Sequence, residues 1–550
     1  MMEPTQDAII TALAQPRFYP HAPNAVEHVQ THISHVFLAG PYVYKLKKAV
    51  RFPFLDFSTV ERRRFFCAEE LRLNRRLSPE VYLDVLPITR DDRGLLRLAG
   101  AGETVEHVVW MRRLPAERTG ATLAAAGTMT ADMLDRLVAL LVPFHAAAPA
   151  GPDVALHGEP SALVAAWNQT VGLTAPLVGR LLPAVDHEIL ADFGPRFVAR
   201  RAALLRARQR GGRIREGHGD LHAEHVYFLD APVPTPPPLA PLTPGLYVVD
   251  CIEFSHALRC TDVASEIAFT AMDLRRLGRP ELERHFVDRY VTATGDGEIR
   301  ALLPFYACHR ACIRGAVEGL KAGESEVAAA DRDAAAERAR GMLALALRCA
   351  WQSEGPAVIA CAGLSGTGKS VLAAELSAAT GFLLLSSDVL RKRRAGLEPN
   401  MPAPKRTDLY TPLARSDVYG ALAAEVEDAL ANGRGVIADA TFIRRADRDR
   451  LARAAAHRSC RLLFLECRAD PPLVRERLAD RRGGASDARW STYLAQRDER
   501  EPFGADEPCM VVETGTDRAA TRARALRVLW RWYQEEAAGS RKSWRRTAPT

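Results

Sequence analysis

Over residues 36–50, in VFLAGPYVYKLKKAV, apolar positions recur with a short period on either side of Gly40-Pro41. The pattern predicts two short strands joined by a turn. In the second strand Lys45 and Lys47 fall on one face, because successive side chains of a strand point to opposite sides. The period then lengthens. DFSTVERRRFFCAEELRLNRRL predicts a helix, with Ser58 and Glu61 placed as a capping box at its start. Glu69 and Glu70 lie on this helix. HVVWMRRLP predicts a further strand, and the text from about 130 to 210 is helix-rich. HVYFL and GLYVVDCIEF predict two strands separated by DAPVPTPPPLAPLTP. Proline removes the N–H donors that a ladder needs, so the insert is expected to be a surface loop or extended spacer.

From about residue 262 to 350 the pattern is again helical, ending in the charged, alanine-rich EVAAADRDAAAERARGMLALALRCAW. It changes sharply at SEGPAVIACAGLSGTGKS. There an apolar strand begins, and FLLLSSD, GVIADAT, RLLFLEC and MVVETGT follow as strands with helices between them. Such alternation predicts a parallel α/β sheet. A boundary is expected near residue 353, and no internal repeat is evident.

Length fits this division, since 550 residues exceed what one core holds. A composition 47% hydrophobic and 26% charged is that of globular protein. Of the 74 basic residues only eight are lysine. That bias removes arginine clusters as evidence for nucleic-acid binding, and the net charge of +7 leaves a mild preference for anionic ligands. The first residues lack a charged-then-apolar signal pattern, and no apolar run of about 18 residues occurs. A cytoplasmic protein with no membrane partner is expected. Ten cysteines include no C-x-x-C pair. Cys308 and Cys312, flanking His309, lack the further ligands of a zinc site, so reduced thiols are expected.

GLSGTGKS supplies the strongest chemistry: Gly363, Leu364, Ser365, Gly366, Thr367, Gly368, Lys369 and Ser370 match G-x-x-x-x-G-K-[ST] between a predicted strand and helix. Backbone N–H groups of such a loop wrap phosphates at a helix N-terminus, the lysine reaches the β/γ phosphates and the serine ligates Mg²⁺. Asp388 and Asp439 close the strands FLLLSSD and GVIAD, at the edge where a parallel sheet gathers its ligand. One can join the magnesium shell and the other can orient an acceptor hydroxyl. VRERLADRRGG places Arg475, Arg477, Arg481 and Arg482 on one segment, as an arginine lid would. Arg475 and Arg481 are the expected phosphate contacts. This half resembles the P-loop small-molecule and polynucleotide kinases over about 355–515, which implies phosphoryl transfer from ATP to a hydroxyl, with Asp388 as the substrate-hydroxyl residue and Asp439 on the metal side.

GHGDLHAEHVYF, over 217–228, poses a harder question. It follows H-x-D-x-x-x-x-N up to the last position, where His225 replaces asparagine. A kinase-like site also needs a strand lysine, a helix carboxylate and a metal-binding Asp after a hairpin. Lys45 or Lys47, Glu70, Asp220 and Asp250 occur in that order, with Lys45 favoured by its distance from the turn. HGDLH, VVDCIEF and DVASEIAFTAMDL resemble the aminoglycoside phosphotransferase (choline-kinase-like) family over about 30–320. The chain as a whole resembles bacterial tandem proteins that fuse such a domain to a P-loop kinase domain. The resemblance implies Asp220 as catalytic Asp, Asp250 as Mg²⁺ ligand and Asp262 as a structural acid. His225 is expected to take the metal-side place of the asparagine, which favours Mn²⁺ over Mg²⁺, with an acid-side loss near pH 6.5.

The expectation is therefore an α+β protein-kinase-like domain over 25–350 followed by an α/β P-loop NTPase domain with a parallel sheet over 355–540. Together they form an ATP-dependent phosphotransferase acting on a small-molecule hydroxyl. Two alternatives stay open. The second domain could be a nucleic-acid end kinase, or the chain could be an ATP-binding regulator with a degenerate first site. Neither acceptor nor oligomeric state is readable.

Overall fold

The structure, a computed structural model, describes residues 6–52, 55–237, 239–324, 327–398, 411–480 and 488–537. The chain forms two compact units, Met1–Thr170 with Gly194–Ala311, and Val171–Phe193 with Cys312–Thr550. The division falls between 311 and 312, where the pattern break in the sequence lies near 353. Packing explains the difference. The helix Ala329–Ser353 ends in the fully buried Trp351. That ring meets Trp530 edge-on at 5.0 Å and Tyr533 at 5.7 Å, both on the last helix, Arg518–Ala537.

In the first unit β1 (Val26–Gln30), β2 (Ser34–Ala39) and β3 (Tyr42–Lys47) form an antiparallel meander. β4 (Arg51–Phe52) and β5 (Leu55–Asp56) are a short ribbon beside it. β6 (Tyr82–Arg90), β7 (Leu96–Leu98) and β8 (Glu103–Arg112) complete a six-stranded sheet in the order β1-β2-β3-β8-β6-β7. Tyr42, Tyr44 and Leu46 of β3 enter a core with Phe37, Ile88 and Val108. By alternation Lys45 and Lys47 turn to the opposite face. The helix Val60–Asn74 buries Arg63, Cys67 and Glu70. Arg63 ties it to β8 through Glu106 (Nε–Oε2 2.8 Å). Its cap is Thr59, whose hydroxyl accepts from the Arg62 N–H, not Ser58 as expected. The Ser58 hydroxyl is engaged by Asp56 at 2.6 Å.

The rest of the first unit is mainly helical, with two ribbons inserted. β9 (Ile214–Glu216) pairs with β12 (Cys260–Asp262), and β10 (Val226–Leu229) pairs with β11 (Gly245–Val248). The proline insert between β10 and β11 is less open than expected. Val233 and Leu242 exchange backbone hydrogen bonds of 3.0 and 2.9 Å, and Leu242 is fully buried beside Leu229 and Tyr247. Asp262 caps the buried helix Val263–Arg276 through the Ala264 N–H (2.9 Å). Its carboxylate also takes a forked pair of 2.7 Å bonds from the buried Arg208, which binds Asp296 as well. Asp262 is therefore the structural acid that the resemblance implies.

The second unit is built on β13 (Ala357–Ala362), β14 (Leu383–Ser386), β15 (Val436–Asp439), β16 (Arg461–Arg468) and β17 (Cys509–Glu513). They run parallel in the order β14-β15-β13-β16-β17. All six residues of β13 are buried, as a central strand covered on both faces requires. β14 and β15 lie on one side of β13, β16 and β17 on the other, and this switch opens a crevice at its C-terminal end. β14 stops at Ser386, so Asp388 lies in the first turn of the helix Ser387–Arg394 instead of closing the strand. Among the described residues no single helix is long and apolar enough to cross a membrane.

Candidate active sites

The second unit's crevice is lined by the loop at 363–368, which leaves β13 and enters the helix Lys369–Thr380. Its glycines are sterically required. At Gly363 (φ 138°) a Cβ would stand 2.6 Å from the Cys467 carbonyl, and at Gly366 (φ 84°) 2.8 Å from a Val474 methyl. Gly368, the N-cap, is also left-handed. Leu364 packs against Val474, Leu478 and Tyr493. Thr367 closes the turn onto the Leu364 carbonyl (2.8 Å). The Ser365 N–H donates to the Gln496 side-chain oxygen at 2.8 Å. That amide oxygen occupies one N–H that the phosphate-binding reading gives to an anion.

Lys369 is nearly buried at the base of this loop, and Asp439 is buried beside it. Asp439 Oδ2 accepts from Ser386, but Oδ1 is buried without a hydrogen-bond partner. Burial raises the Asp439 pKa, while Lys369 and the Ser370 hydroxyl oppose that rise. A buried carboxylate oxygen is costly unless a cation or donor meets it. Ser370 and Asp439 offer hard oxygen donors at the loop, so the residues present fit Mg²⁺. Asp388 lies near enough to raise the Asp439 pKa and is ion-paired with Arg391.

A cavity of about 330 Å³ opens beside the loop, lined by Lys369, Ser370, Arg477, Thr514, Arg518 and Thr521. Arg477 donates from Nη2 to the Thr514 (3.1 Å) and Gly515 (2.6 Å) carbonyls. Its Nη1 is buried without a partner, 3.4 Å from where a Cβ on Gly368 would stand. Arg475 is directed elsewhere, its guanidinium 5.7 Å over Trp490. Trp490 stacks on Tyr493 at 4.9 Å, and both join the Val474–Leu478 cluster, so these aromatics are used in packing. Arg481 and Arg482 lie outside the described residues. The sequence reading missed Thr514, Arg518 and Thr521; their signal is the strand end at TGTDR, a position matching those already read at β13 and β15.

In the first unit both lysines of β3 converge on one carboxylate. Glu70 Oε1 meets Lys45 at 2.9 Å and Oε2 meets Lys47 at 2.7 Å. Lys45 continues to Asp250 Oδ1 (2.6 Å), whereas Lys47 is wholly buried against Glu253. Lys47 is therefore a support beneath the cleft and not a cleft residue, because its ammonium is enclosed by two carboxylates. Glu69 pairs with Arg72, leaving Glu70 as the partner of the strand. Burial works against charge on Lys45, but Asp250 and Glu70 raise its pKa well above the ordinary value. Burial likewise opposes the Asp250 carboxylate, yet Lys45 and then His225 hold it well below the usual range. Asp250 adopts φ 63°, a left-handed conformation, and its N–H donates to the Tyr82 hydroxyl (3.0 Å).

The loop carrying Asp220 is fixed from below. His218 Nε2–H donates to the Val249 carbonyl (2.9 Å), and its Nδ1 accepts from the Asp220 N–H (3.2 Å). Glu266 accepts from the Gly219 N–H and pairs with His145 (3.0 Å), which reaches the Tyr290 hydroxyl (2.7 Å). Asp220, His222 and His225 form a group with ligand atoms within 4.8 Å of one another. The His225 Nδ1–H donates to the Asp220 carbonyl at 2.9 Å. Its Nε2 lone pair therefore faces Asp250 Oδ2, 3.5 Å away. Two lone pairs so placed call for a cation between them. Imidazole and carboxylate together fit Mn²⁺ better than Mg²⁺. Burial, with His222 beside the ring, lowers the His225 pKa to about 4. The ring is therefore neutral through the range near 6.5 where its protonation was expected. Glu253, Tyr82 and Glu266 were missed in the sequence, where nothing sets them apart from other acids and aromatics.

Residues 358–503 match the family model described as AAA domain. The match runs from β13 through the helix that carries Gln496 and stops short of β17. Over 466 residues, 84% of its length and 87% of theirs, the chain is 28% identical to proteins of Mycobacterium bovis and Mycobacterium tuberculosis named as uncharacterized. Solved structures similar to it include a choline/ethanolamine kinase family protein from Mesorhizobium loti. That match has 14% identity and a TM-score of 0.34, over 62% of this chain and 98% of that one. A gluconokinase from Sinorhizobium meliloti is 21% identical with a TM-score of 0.27, over 34% and 98%. The fold assignments stand on the topology itself. The first unit has the protein-kinase-like arrangement of antiparallel sheet, lysine-bearing strand and paired helix. The second is a P-loop fold of the parallel α/β kind.

Proposed function

We propose that the chain is an ATP-dependent phosphotransferase with two nucleotide sites, each passing the γ-phosphoryl group to a hydroxyl of a small-molecule acceptor. The observation that carries this reading is a repeated arrangement. In each unit a lysine at a phosphate position stands beside a carboxylate that keeps one oxygen for a metal ion: Lys369 beside Asp439, whose Oδ1 has no hydrogen-bond partner, and Lys45 on Asp250 Oδ1, with Oδ2 facing His225. Catalysis of phosphoryl transfer is mostly positioning and charge compensation, and these groups supply both.

In the second unit the loop N–H groups and Lys369 take up phosphate charge, while Ser370 and Asp439 hold a divalent ion. That ion, when bound, neutralises charge on the phosphates. Asp388 orients the acceptor hydroxyl and accepts its proton as the new O–P bond forms and the bond to ADP breaks. Arg477 compensates charge at the leaving side of the loop. In the first unit Lys45, braced by Glu70, takes the phosphates, Asp250 and His225 hold the ion, and Asp220 accepts the acceptor proton.

Calorimetry on the full-length protein tests the reading. About two nucleotides should bind, Lys369→Ala removing one and Asp250→Asn the other. A single nucleotide unaffected by Asp250→Asn would refute the first site. Labelled ATP incubated with a metabolite extract should then yield labelled acceptors, and ATP binding without any labelled product would refute transfer.

A further inference from the structure

Outside both nucleotide sites a second set of metal-ligating side chains comes together. His157, His256 and Cys260 place one ligand atom each within 4.8 Å of the others. The Cys260 sulfur lies 3.3 Å from His256 Nε2, and the His157 and His256 rings are 5.6 Å apart. We propose that these three residues form a zinc site with two imidazoles, one thiolate and a solvent-filled fourth position.

The donor set selects the ion. Imidazole nitrogen and thiolate sulfur suit zinc and related borderline ions, whereas magnesium and manganese prefer oxygen. Bond lengths of about 2.0–2.1 Å to nitrogen and about 2.3 Å to sulfur need only a small contraction of the observed cluster. Fixed backbone makes that contraction feasible. Cys260 begins β12, which pairs with β9, and His256 begins the short helix His256–Arg259 just before it. His157 sits in the turn Leu156–Gly158, pressed on the same ribbon: a Cβ at Gly158 would stand 2.4 Å from Ile214 of β9. Val154, Ile214 and Cys260 form a small apolar cluster beneath the sulfur, while His256 is exposed at the rim. The site is therefore dry at the thiol and open on the imidazole side, which is the place for a water ligand.

Burial, with Glu216 nearby, pushes the Cys260 thiol up to about 11. Binding breaks the S–H bond, forms the metal–sulfur bond and releases that proton to solvent. Glu216 pairs with Cys260 across the ribbon and immediately precedes Gly217 of the catalytic loop, whose N–H donates to the Arg259 carbonyl (2.9 Å). Zinc would fasten the 152–158 segment onto the root of that loop.

Full-length protein stripped with chelator and titrated with Co²⁺ tests the site. One equivalent should bind with a sulfur-to-cobalt charge-transfer band. Cys260→Ser should abolish the band and His157→Ala should weaken binding by about tenfold or more, each with unchanged circular dichroism. His225→Ala should keep the band, because the Asp220 group offers no sulfur. Absence of the band, or its survival in Cys260→Ser, overturns the proposal. On unaltered protein, zinc should shield His157 and His256 from diethyl pyrocarbonate, read by peptide mass spectrometry. Equal labelling with and without zinc overturns it as well.

Discussion

In the second unit the groups proposed to face the phosphates come from one short loop and from backbone N–H donors. In the first they are side chains brought together from far apart, Lys45 and Asp250 being 205 residues distant in sequence. The contrast is one of cost. A backbone cradle carries no net charge when empty, and Lys369 faces the single carboxylate of Asp439. The first site is a compact charge network in which Glu70 holds two lysines and Lys47 has no exposure to solvent. There, binding and folding depend on the same residues.

The largest expected effect follows from that dependence. Glu70→Ala leaves Lys47 buried with one carboxylate fewer, and removal of one partner of a buried pair costs about 3–5 kcal/mol. Urea unfolding of the first unit should show this loss, whereas Lys369→Ala should cost the second unit less, because burial already raises the Asp439 pKa and the carboxyl can take up a proton once the lysine is gone. Comparable losses in both would break the contrast.

Next in size is an acid effect confined to the first unit. Burial opposes the Glu266 charge, but His145, His218 and the Gly219 N–H lower its pKa to about 2. A depressed folded pKa contributes stability present above the ordinary carboxyl range and lost as pH falls through the folded value. Stability on the order of 3 kcal/mol should therefore disappear between about pH 4.5 and about pH 2. Glu266→Gln should flatten unfolding curves across that window, and an unchanged acid slope would remove Glu266 from the account.

A smaller effect sharpens the comparison at the metal. His225→Ala should weaken first-site metal affinity by about 10- to 100-fold, and His225→Asn should shift preference from Mn²⁺ toward Mg²⁺. Nucleotide binding measured with each ion decides it, since an unchanged ion ratio would mean that Asp250 acts without the ring. The smallest effect belongs to the backbone cradle. Gln496 competes for the Ser365 N–H, and one neutral hydrogen bond is worth about 0.5–1.5 kcal/mol. Gln496→Ala should tighten second-site nucleotide binding by about two- to tenfold, and weaker binding would make Gln496 a ligand instead of a competitor.

The same contrast governs how much could be read in advance. A phosphate loop is contiguous, so its steric demands at Gly363 and Gly366 are written in one octet. For β3, period two brings Lys45 and Lys47 to one face, but only packing depth separates the cleft lysine from the buried one. Glu253 and Glu266 act through tertiary partners and carry no local pattern. Thr59 displaced Ser58 as a cap because Asp56 holds the serine, a competition between neighbours that spacing does not encode. Arg475 and Arg477 differ by two positions, and a helical turn sends one to Trp490 and the other over the loop. His157 and Cys260 meet only because β9 and β12 pair.

Asp250 also limits how its own position can drift. With φ at 63°, the backbone accepts glycine freely, asparagine and aspartate at little cost, and other residues at about 1–3 kcal/mol. The torsion alone therefore screens substitutions before any chemistry does, and among the three tolerated residues aspartate is the one that carries a negative charge. A change to valine or isoleucine there would fail twice, once as ligand and once as backbone. Any functional relative with a different residue at this position should show a relaxed torsion alongside it.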